Sequence, residues 1–415
     1  MLSKGIGKRF ILFGLANVIA AAIPFLLTPF LTRTLSPEEY GYISLFEAVI
    51  QLLAPLVIFG GDGFYSSNYF KDTKQRAKEL QFNLLLLPLA ISGFLFFVAL
   101  ISYSFAGARS IFGSIYIFLL VPTVFFQSIC ALMYAKLQME GRAGIYLGVK
   151  VSGPIIGGLL TVWLIYIENW NADGRLVGIV TAFAFSAILC LAIHVQEDIF
   201  KLKTSLELIK KAVSFGKGMI VHSWSGVLFF ASDRIVLGYM SGIKDLGAYA
   251  VALQFGLVMA IVQTTFSQIW TPFMLKKLES DCSSTDILRY EILAILFLST
   301  LSILIGLLIS PFYFILVGED YHYAQNVAYW VVASYFMLGL YKVFTVYFFY
   351  SQNTKALAKI TFTVALFNVL LTIVMIHFMG LVGAAIATFI SSVVFFITVY
   401  FKTKNIKSQR VSSYA

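Results

Sequence analysis

Residues 292–310 read ILAILFLSTLSILIGLLIS, a run without a single charged side chain. As an α-helix rising about 1.5 Å per residue, this run is about 28 Å long, which matches the roughly 30 Å hydrocarbon core of a bilayer. Similar runs recur along the chain, so the sequence predicts an all-α polytopic membrane protein. The twelve predicted transmembrane helices cover residues 10–32, 41–61, 82–105, 111–134, 145–167, 175–195, 213–238, 247–271, 288–310, 325–350, 358–378 and 381–401.

The composition supports this class. Hydrophobic residues make up 60% of the 415-residue chain and charged residues only 12%, whereas soluble domains carry about 25% charged residues. The net charge of +10 would suggest nucleic-acid binding in a soluble protein. Here the basic residues lie between apolar runs, so we interpret them as topology signals and contacts to lipid head groups, and expect no nucleic-acid partner. The three cysteines form no metal-binding pattern, and no metal site is expected.

The basic residues also predict the orientation. If the twelve helices alternate in direction, 24 of the 30 Lys and Arg residues, Lys150 among them, fall on the side that holds both termini. The other side has Arg33, Arg109, Arg175, Arg234 and Lys244, and Lys342 alone lies well inside a span. The positive-inside rule then predicts a multi-pass membrane protein with both termini in the cytoplasm.

The two halves of the chain carry similar short motifs. Leu176-Val177-Gly178 recurs as Leu381-Val382-Gly383, and Tyr40-Gly41-Tyr42 matches Leu246-Gly247-Ala248 at nearly the same offset. Six spans per half, an even number, make the repeats parallel. We therefore predict two six-helix bundles around a central cavity. Residues 1–200 form the first, residues 201–212 a cytoplasmic linker, and residues 213–415 the second with a short basic tail.

Three segments resemble the polysaccharide flippases of the MATE-like (multidrug/oligosaccharidyl-lipid/polysaccharide exporter) superfamily. They are Leu35-Ser36-Pro37-Glu38-Glu39-Tyr40-Gly41, with a predicted capping box at Ser36, then Gly60-Gly61-Asp62-Gly63, and Ser232-Asp233-Arg234-Ile235-Val236-Leu237-Gly238. The resemblance is strongest to flippases of O-antigen and capsule units. This chain departs from the family at Ser66, Ser67 and Asn68, where the family often has an arginine.

The resemblance implies that the chain flips an oligosaccharide linked to undecaprenyl diphosphate from the cytoplasmic to the periplasmic leaflet by alternating access. It also implies membrane lipids, a polysaccharide polymerase and a chain-length regulator as partners. Two alternatives stay open: a multidrug or cation antiporter of the same fold, which should favour an acidic cavity, and a membrane-embedded polysaccharide polymerase or ligase, which should carry a large periplasmic loop.

Charged side chains within spans are costly and commonly functional. As cations that attract the diphosphate we predict Arg33, Arg234 and Lys342. As groups that couple transport to H⁺ or Na⁺, or that gate it, we predict Glu47, Asp62 and Asp233. The structural alternatives are a helix-holding pair for Asp233 and Arg234, and an interfacial cap for Asp62. No catalytic residue is predicted, and without a Gly-rich phosphate-binding loop we expect neither an enzyme nor ATP as the energy source.

Overall fold

The computed structural model describes residues 4–71, 73–106, 114–280, 283–351 and 353–412, which form twelve α-helices joined by short connections. Two short 3₁₀ helices, Ile199–Lys201 and Glu319–Ala324, lie between them. The α-helices are α1 (Lys4–Thr34), α2 (Pro37–Ile58), α3 (Gly61–Asn68), α4 (Lys74–Ala106), α5 (Ser114–Met139), α6 (Ala143–Tyr166), α7 (Asn171–Gln196), α8 (Leu206–Met240), α9 (Ile243–Glu279), α10 (Ser284–Leu316), α11 (Gln325–Tyr350) and α12 (Thr354–Ser412).

The helix lengths agree with a multi-pass membrane protein. Within the described residues, 10 helices are long and apolar enough to cross a bilayer, or 11 if the two arms of α8, which bend by 45° after Ile220, form one span. One of these segments, Lys355–Lys404 in α12, is 50 residues long. A straight helix of that length would measure about 75 Å, far more than one crossing needs. This segment is long enough for two crossings, but the helices that meet the criterion number 10 or 11 in the described residues, against the twelve spans predicted from the sequence.

The break in α12 lies at Gly380, where the sequence predicts a tight turn. Gly380 has φ 55° and ψ −137°, a conformation that favours glycine. A Cβ built on Gly383 would lie 2.1 Å from the backbone oxygen of Met375. In a straight helix residues eight apart are about 12 Å apart. The chain therefore turns back sharply at Gly380, and the glycine at 383 permits the close approach that follows.

The described residues pack into two compact units. Unit 1 consists of Met1–Leu27 and Leu45–Trp224, and unit 2 of Thr28–Ser44 and Ser225–Ala415. The division passes through α1, α2 and α8, so the connection between α1 and α2 packs with the C-terminal half of the chain. The two predicted six-helix bundles, residues 1–200 and 213–415, rest on the sequence repeat. The units described here are defined by packing instead, so the two bundles stay a prediction.

In unit 1, glycines bring α6 and α7 into close contact. A Cβ on Gly157 would lie 2.4 Å from the backbone oxygen of Gly178, and one on Gly153 would lie 2.4 Å from that of Ala182. Small residues allow such close approach between membrane helices. The close packing holds the α6 segment around Pro154 against α7, and this segment forms one wall of the cavity described below.

An ion-pair network joins the end of α5 to the segment after α7. Lys136, only 1% exposed, places its Nζ 2.6 Å from Glu197 Oε2 and 2.8 Å from Glu140 Oε1. Arg142 also contacts both carboxylates. Burial raises the pKa of Glu197, but the hydrogen bonds from Lys136 and Arg142 outweigh it, so this pKa lies below its ordinary value.

In unit 2, the connection between α1 and α2 is fixed at both ends. The predicted capping box is confirmed: Ser36 N donates to Glu39 Oε2 at 2.8 Å, and Glu39 N donates to Ser36 Oγ at 3.3 Å. Gly318 N donates to Thr32 Oγ1 at 3.0 Å. The hydroxyl of the fully buried Tyr321 donates to the Leu35 carbonyl oxygen at 2.9 Å. The connection is therefore an integral part of unit 2.

Two glycines that the repeat relates to each other meet at one helix crossing in unit 2. A Cβ on Gly41 would lie 2.0 Å from the Ile243 backbone oxygen, and one on Gly247 would lie 1.7 Å from the Pro37 backbone oxygen. The first turns of α2 and α9 therefore pack with their backbones almost in contact. Gly41 of α2 leaves room for the backbone of α9 at Ile243, and Gly247 of α9 leaves room for the backbone of α2 at Pro37. The two matched motifs therefore have the same packing role.

Candidate functional site

Unit 1 contains a cavity of about 470 Å³ between α1, α2, α5, α6 and α7. This volume lies in the range of about 300–1,000 Å³ that is common for small-molecule sites. Most of the wall is apolar, and three charged side chains line it: Glu47 on α2, Lys150 on α6 and Arg175 on α7. The cavity therefore contains two basic groups and one acidic group, all carried by membrane-spanning helices.

Arg175 is the most deeply buried of the three, with 8% of its surface exposed. Its Nη2 lies 3.7 Å from Glu47 Oε1, which is an ion pair but too long for a hydrogen bond. Its Nε is buried without a hydrogen-bond partner among the described residues. A guanidinium has five N–H donors, and leaving them unpaired in a buried place is unfavourable. Arg175 thus has unused capacity to bind an anion.

Lys150 lies among aromatic side chains. Its Nζ donates to the Tyr146 hydroxyl at 3.1 Å and lies 4.9 Å from the centre of the Tyr134 ring. Within the described ranges, no carboxylate lies within 4.0 Å of this Nζ. Tyr146 is fixed in turn, because its hydroxyl donates to Asn17 Oδ1 at 3.1 Å. The ammonium is therefore positioned by neutral groups, and its charge is not neutralised by a nearby acid.

Two further polar residues line the cavity. The side-chain oxygen of Gln127 is buried without a hydrogen-bond partner in the part of the chain that the structure describes. Ser186 Oγ donates to the Val149 carbonyl oxygen at 3.2 Å. The side-chain oxygen of Gln127 can therefore accept a hydrogen bond from a ligand hydroxyl group.

In unit 2 the predicted residues Asp233 and Arg234 lie on α8. Asp233 is buried, with 2% exposed, and accepts hydrogen bonds from the hydroxyl of the fully buried Tyr249 and from Arg234 N at 2.7 Å. Arg234 Nη2 donates to the Phe230 carbonyl oxygen at 3.3 Å. Both carboxylate oxygens of Asp233 are thus bonded within unit 2.

The other predicted residues occupy separate places. Arg33 Nη2 donates to the Ile315 carbonyl oxygen at 2.6 Å on the exposed side of unit 2. Lys342 lies on α11 about 12 Å before the helix ends, and its Nζ donates to Thr264 Oγ1 at 3.4 Å. In the described parts of the chain, no acidic group lies within 4.0 Å of this ammonium. Asp62 lies half-buried in the first turn of α3. Their predicted roles stay predictions.

Sequence reasoning identified Glu47 but missed its two basic neighbours in the cavity. Arg175 and Lys150 were interpreted as topology charges because both lie near predicted span ends. Lys150 nevertheless falls inside the predicted span 145–167, and that depth was an available signal. The pairing of Glu47 with Arg175 joins helices far apart in sequence, so it required the structure.

Comparison with known proteins gives consistent results. The family model described as polysaccharide biosynthesis protein matches residues 6–278. An uncharacterized membrane protein of Haemophilus influenzae is 24% identical over 358 residues, 83% of this chain and 84% of that protein. A multidrug resistance MATE family transporter of the MOP superfamily, in an inward-facing conformation, superposes with a TM-score of 0.74 at 14% identity, covering 94% of this chain and 96% of that one. The lipid II flippase MurJ, inward closed, superposes with a TM-score of 0.71 at 15% identity, covering 95% and 87%.

Proposed function

Because the chain belongs to the polysaccharide biosynthesis protein family, we propose that it flips undecaprenyl-diphosphate-linked oligosaccharide units, of O-antigen or capsule, from the cytoplasmic to the periplasmic leaflet. The predicted MATE-like, all-helical fold is confirmed by the structural relatives. The chain is a multi-pass membrane protein of a flippase-type family. The substrate and the direction of transport are the proposed part.

The physical problem that such a protein solves is desolvation. The sugars and the diphosphate would have to leave water to cross about 30 Å of hydrocarbon, and each unpaired polar group costs several kcal/mol there. A polar path through the protein removes that cost, while the polyprenyl chain stays in lipid. Alternating access opens such a path to one side of the membrane at a time.

The observation that carries the proposal is Lys342. It lies within the membrane-spanning helix α11, is held by a hydroxyl group, and has no acidic partner within 4.0 Å among the residues the structure describes. Intramembrane cations without such a partner are costly and are retained for function. With Arg234 and Arg33 it would attract the diphosphate, since charge-assisted bonds to phosphate are strong where water is excluded.

Transport against a gradient needs an energy source, and we propose coupling to H⁺ or Na⁺. Glu47 and Asp62 are the candidate groups that bind the ion or gate transport, whereas Asp233, predicted for the same role, has both carboxylate oxygens bonded within unit 2 and fits the structural alternative better. The protein would act in the bacterial inner membrane with both termini in the cytoplasm and without chemical change to its substrate. A polysaccharide polymerase and a chain-length regulator would be its partners.

A drug antiporter of the same fold is the second candidate. The MATE transporter among the structural relatives has the same overall fold, but that likeness at 14% identity concerns the fold alone. A cationic drug would require acidic groups where it binds. Among the residues that the structure describes, Lys342 has no acid within 4.0 Å, and the unit 1 cavity has more basic than acidic groups. Both observations favour an anionic substrate.

The test is complementation in a strain that lacks its own flippase but still synthesises a matching lipid-linked oligosaccharide. Surface polysaccharide then depends on the introduced protein. We expect Lys342→Ala and Arg234→Ala to lower surface polysaccharide at least tenfold at normal membrane levels, and Arg234→Lys to recover part of it. Arg289→Ala, which removes an exposed cation on α10, is the matched control and should behave as wild type. Full polysaccharide in both alanine variants would contradict the role of the cations in this proposal.

A further inference from the structure

We propose that residues 197–211, named here the α7–α8 segment, form a docking surface for anionic phospholipids of the surrounding membrane. The segment comprises the connection between α7 and α8 and the first turns of α8. It directly follows a membrane-spanning helix and leads into the next one, so a bilayer surface lies beside it. The inference does not depend on which substrate the protein carries.

Hydrogen bonds to α4 hold the backbone of the α7–α8 segment in place. Lys78 Nζ donates to the Glu197 carbonyl oxygen at 3.1 Å. Asn83 Nδ2 donates to the Lys203 carbonyl oxygen at 3.4 Å, and Asn83 Oδ1 accepts a hydrogen bond from Ser205 N at 2.7 Å. The ion pairs of the Glu197 carboxylate, described above, add to these bonds. The surface is therefore a fixed part of unit 1.

Apolar side chains anchor the inner side of the segment. Ile199 is fully buried and Leu208 is buried, and both belong to the hydrophobic core of unit 1. Leu202 packs against the same core. Because these three side chains are directed into unit 1, the segment has one side fixed to the protein and one side left for another contact.

Two large apolar side chains lie on the side that the protein does not cover. Phe200 is 46% exposed and Leu206 is 71% exposed. Contact with water would leave this apolar area unburied, whereas at a membrane interface it can enter the acyl region. Single exposed apolar residues are common on protein surfaces. Their charged neighbours therefore decide the interpretation.

Lysines accompany the two apolar residues along the segment. Two of them, Lys201 and Lys211, form ion pairs of 2.7 and 2.6 Å with acids of the same segment. The other two, Lys203 and Lys210, are exposed and have no carboxylate within 4.0 Å among the residues that the structure describes. Each lysine close to an anionic membrane surface strengthens the attraction roughly fivefold. The segment thus presents two ammonium groups that lipid phosphates can neutralise.

The combination favours an anionic lipid over an acidic soluble protein. A phospholipid supplies both contacts at once, because its phosphate pairs with Lys203 and Lys210 while its acyl chains cover Phe200 and Leu206. An acidic protein would need an apolar patch at matching positions. A zwitterionic lipid has the same chains but no net negative charge. We therefore expect the surface to select phosphatidylglycerol over phosphatidylcholine.

The selectivity is measured at the segment itself, in full-length protein reconstituted into bilayers of equal amounts of the two lipids. Thr204→Cys in a Cys282→Ser background carries a fluorescent label, because Thr204 is exposed whereas Cys130 and Cys190 are buried. One lipid at a time has brominated chains, which quench the label on contact. We expect phosphatidylglycerol to occupy the site at least five times as often as phosphatidylcholine.

Variants then assign this preference to particular side chains. Lys203→Gln combined with Lys210→Gln should lower the preference to less than twofold, since both unpaired charges are gone. Asp198→Asn combined with Lys201→Gln is the matched control, because it removes one charge of each sign from the same segment. This control should keep the wild-type preference. A label on Leu206→Cys should be quenched by brominated chains and protected from iodide dissolved in water.

Three results would overturn the inference. They are equal quenching by both lipids in the Thr204→Cys protein, an unchanged preference when Lys203 and Lys210 are replaced, and quenching of the Leu206→Cys label by iodide but not by lipid. The last result would show that the segment faces water and is open to a soluble acidic protein. Flipping of the lipid-linked glycan is measured separately, so a protein that flips without this lipid preference contradicts the present inference alone.

Discussion

Polar groups are hydrogen-bonded to different extents in the cavity of unit 1 and in the α1–α2 connection of unit 2. In the connection, Ser36 and Glu39 bond to each other, and Tyr321 and Gly318 bond to the chain between α1 and α2. In the cavity, the Nε of Arg175 and the oxygen of Gln127 have no partner among the described residues. In the connection these polar groups are paired within the protein, whereas in the cavity one donor and one acceptor stay available to a ligand.

This difference separates two roles for polar residues in a membrane protein. Groups that are fully bonded within the protein stabilise the fold, because each would otherwise be costly in hydrocarbon. Groups that stay partly unbonded beside a cavity are costly until a ligand arrives, and so they indicate binding. By this criterion Asp233, bonded at both oxygens, belongs with the connection, and Lys150 and Arg175 belong with function.

The largest effect should come from filling the glycine crossing of unit 2. In Gly247→Ala the added Cβ would lie 1.7 Å from the backbone oxygen of Pro37. This distance is far shorter than a van der Waals contact, so α2 and α9 must separate. We expect a loss of about 3 kcal/mol in unfolding free energy, measured by denaturation in detergent. Gly144→Ala, where nothing lies within 4 Å, is the control. Equal stability of the two variants would show that the crossing is not tightly packed.

The next effect concerns the Asp233–Tyr249 hydrogen bond. Tyr249→Phe leaves a buried carboxylate oxygen without its donor, so we expect a loss of about 2 kcal/mol in unfolding free energy. Tyr239→Phe, at a side chain that is 83% exposed, should change nothing measurable. If Tyr249→Phe keeps wild-type stability but loses transport, Asp233 has a functional role. Full hydrogen bonding within the protein would then not mark Asp233 as structural.

A smaller change in stability is expected at Lys150. Lys150→Met keeps the apolar stem and removes a charge that has no acidic partner in the described part of the chain, so the unfolding free energy should change by less than about 1 kcal/mol. Lys136→Met provides the contrast, because it leaves Glu140 and Glu197 without their buried partner and should destabilise much more. The same measurement of unfolding in detergent decides both. A large loss at Lys150 would make it a structural residue.

The last comparison concerns the pH dependence of unit 1, where Glu197 pairs with Lys136 and Arg142. The pKa of Glu197 is lowered in the folded protein, so its contribution to stability is complete above the ordinary value of 4.5 and is lost as the pH falls through the lowered value. Glu197→Gln should therefore be less stable than wild type at pH 7, and the difference should narrow at pH 4 and below. Unfolding temperatures across that range measure it, and a constant difference would contradict the ion-pair account.

Local signals made part of the fold predictable. The capping box at Ser36 and the turn at Gly380 depend on residues a few positions apart, and both are present in the structure. The cavity depends on which faces of five helices meet, so Lys150 and Arg175 were taken for topology charges. Glu47 was found because an acid inside an apolar run is conspicuous, but its partner on α7 was not.

The central claim is that the chain moves a lipid-linked glycan between leaflets. Its most direct test is to reconstitute the purified protein in liposomes that contain a fluorescently labelled polyprenyl-diphosphate oligosaccharide in both leaflets, and to add a quencher that does not cross membranes. Protein-free liposomes should lose about half of the fluorescence, because only the outer leaflet is reached. With the wild-type protein, the account predicts loss of nearly all of it, and with Lys342→Ala a return towards half. Loss of only half with the wild-type protein, under an imposed H⁺ or Na⁺ gradient as well as without one, would contradict the account.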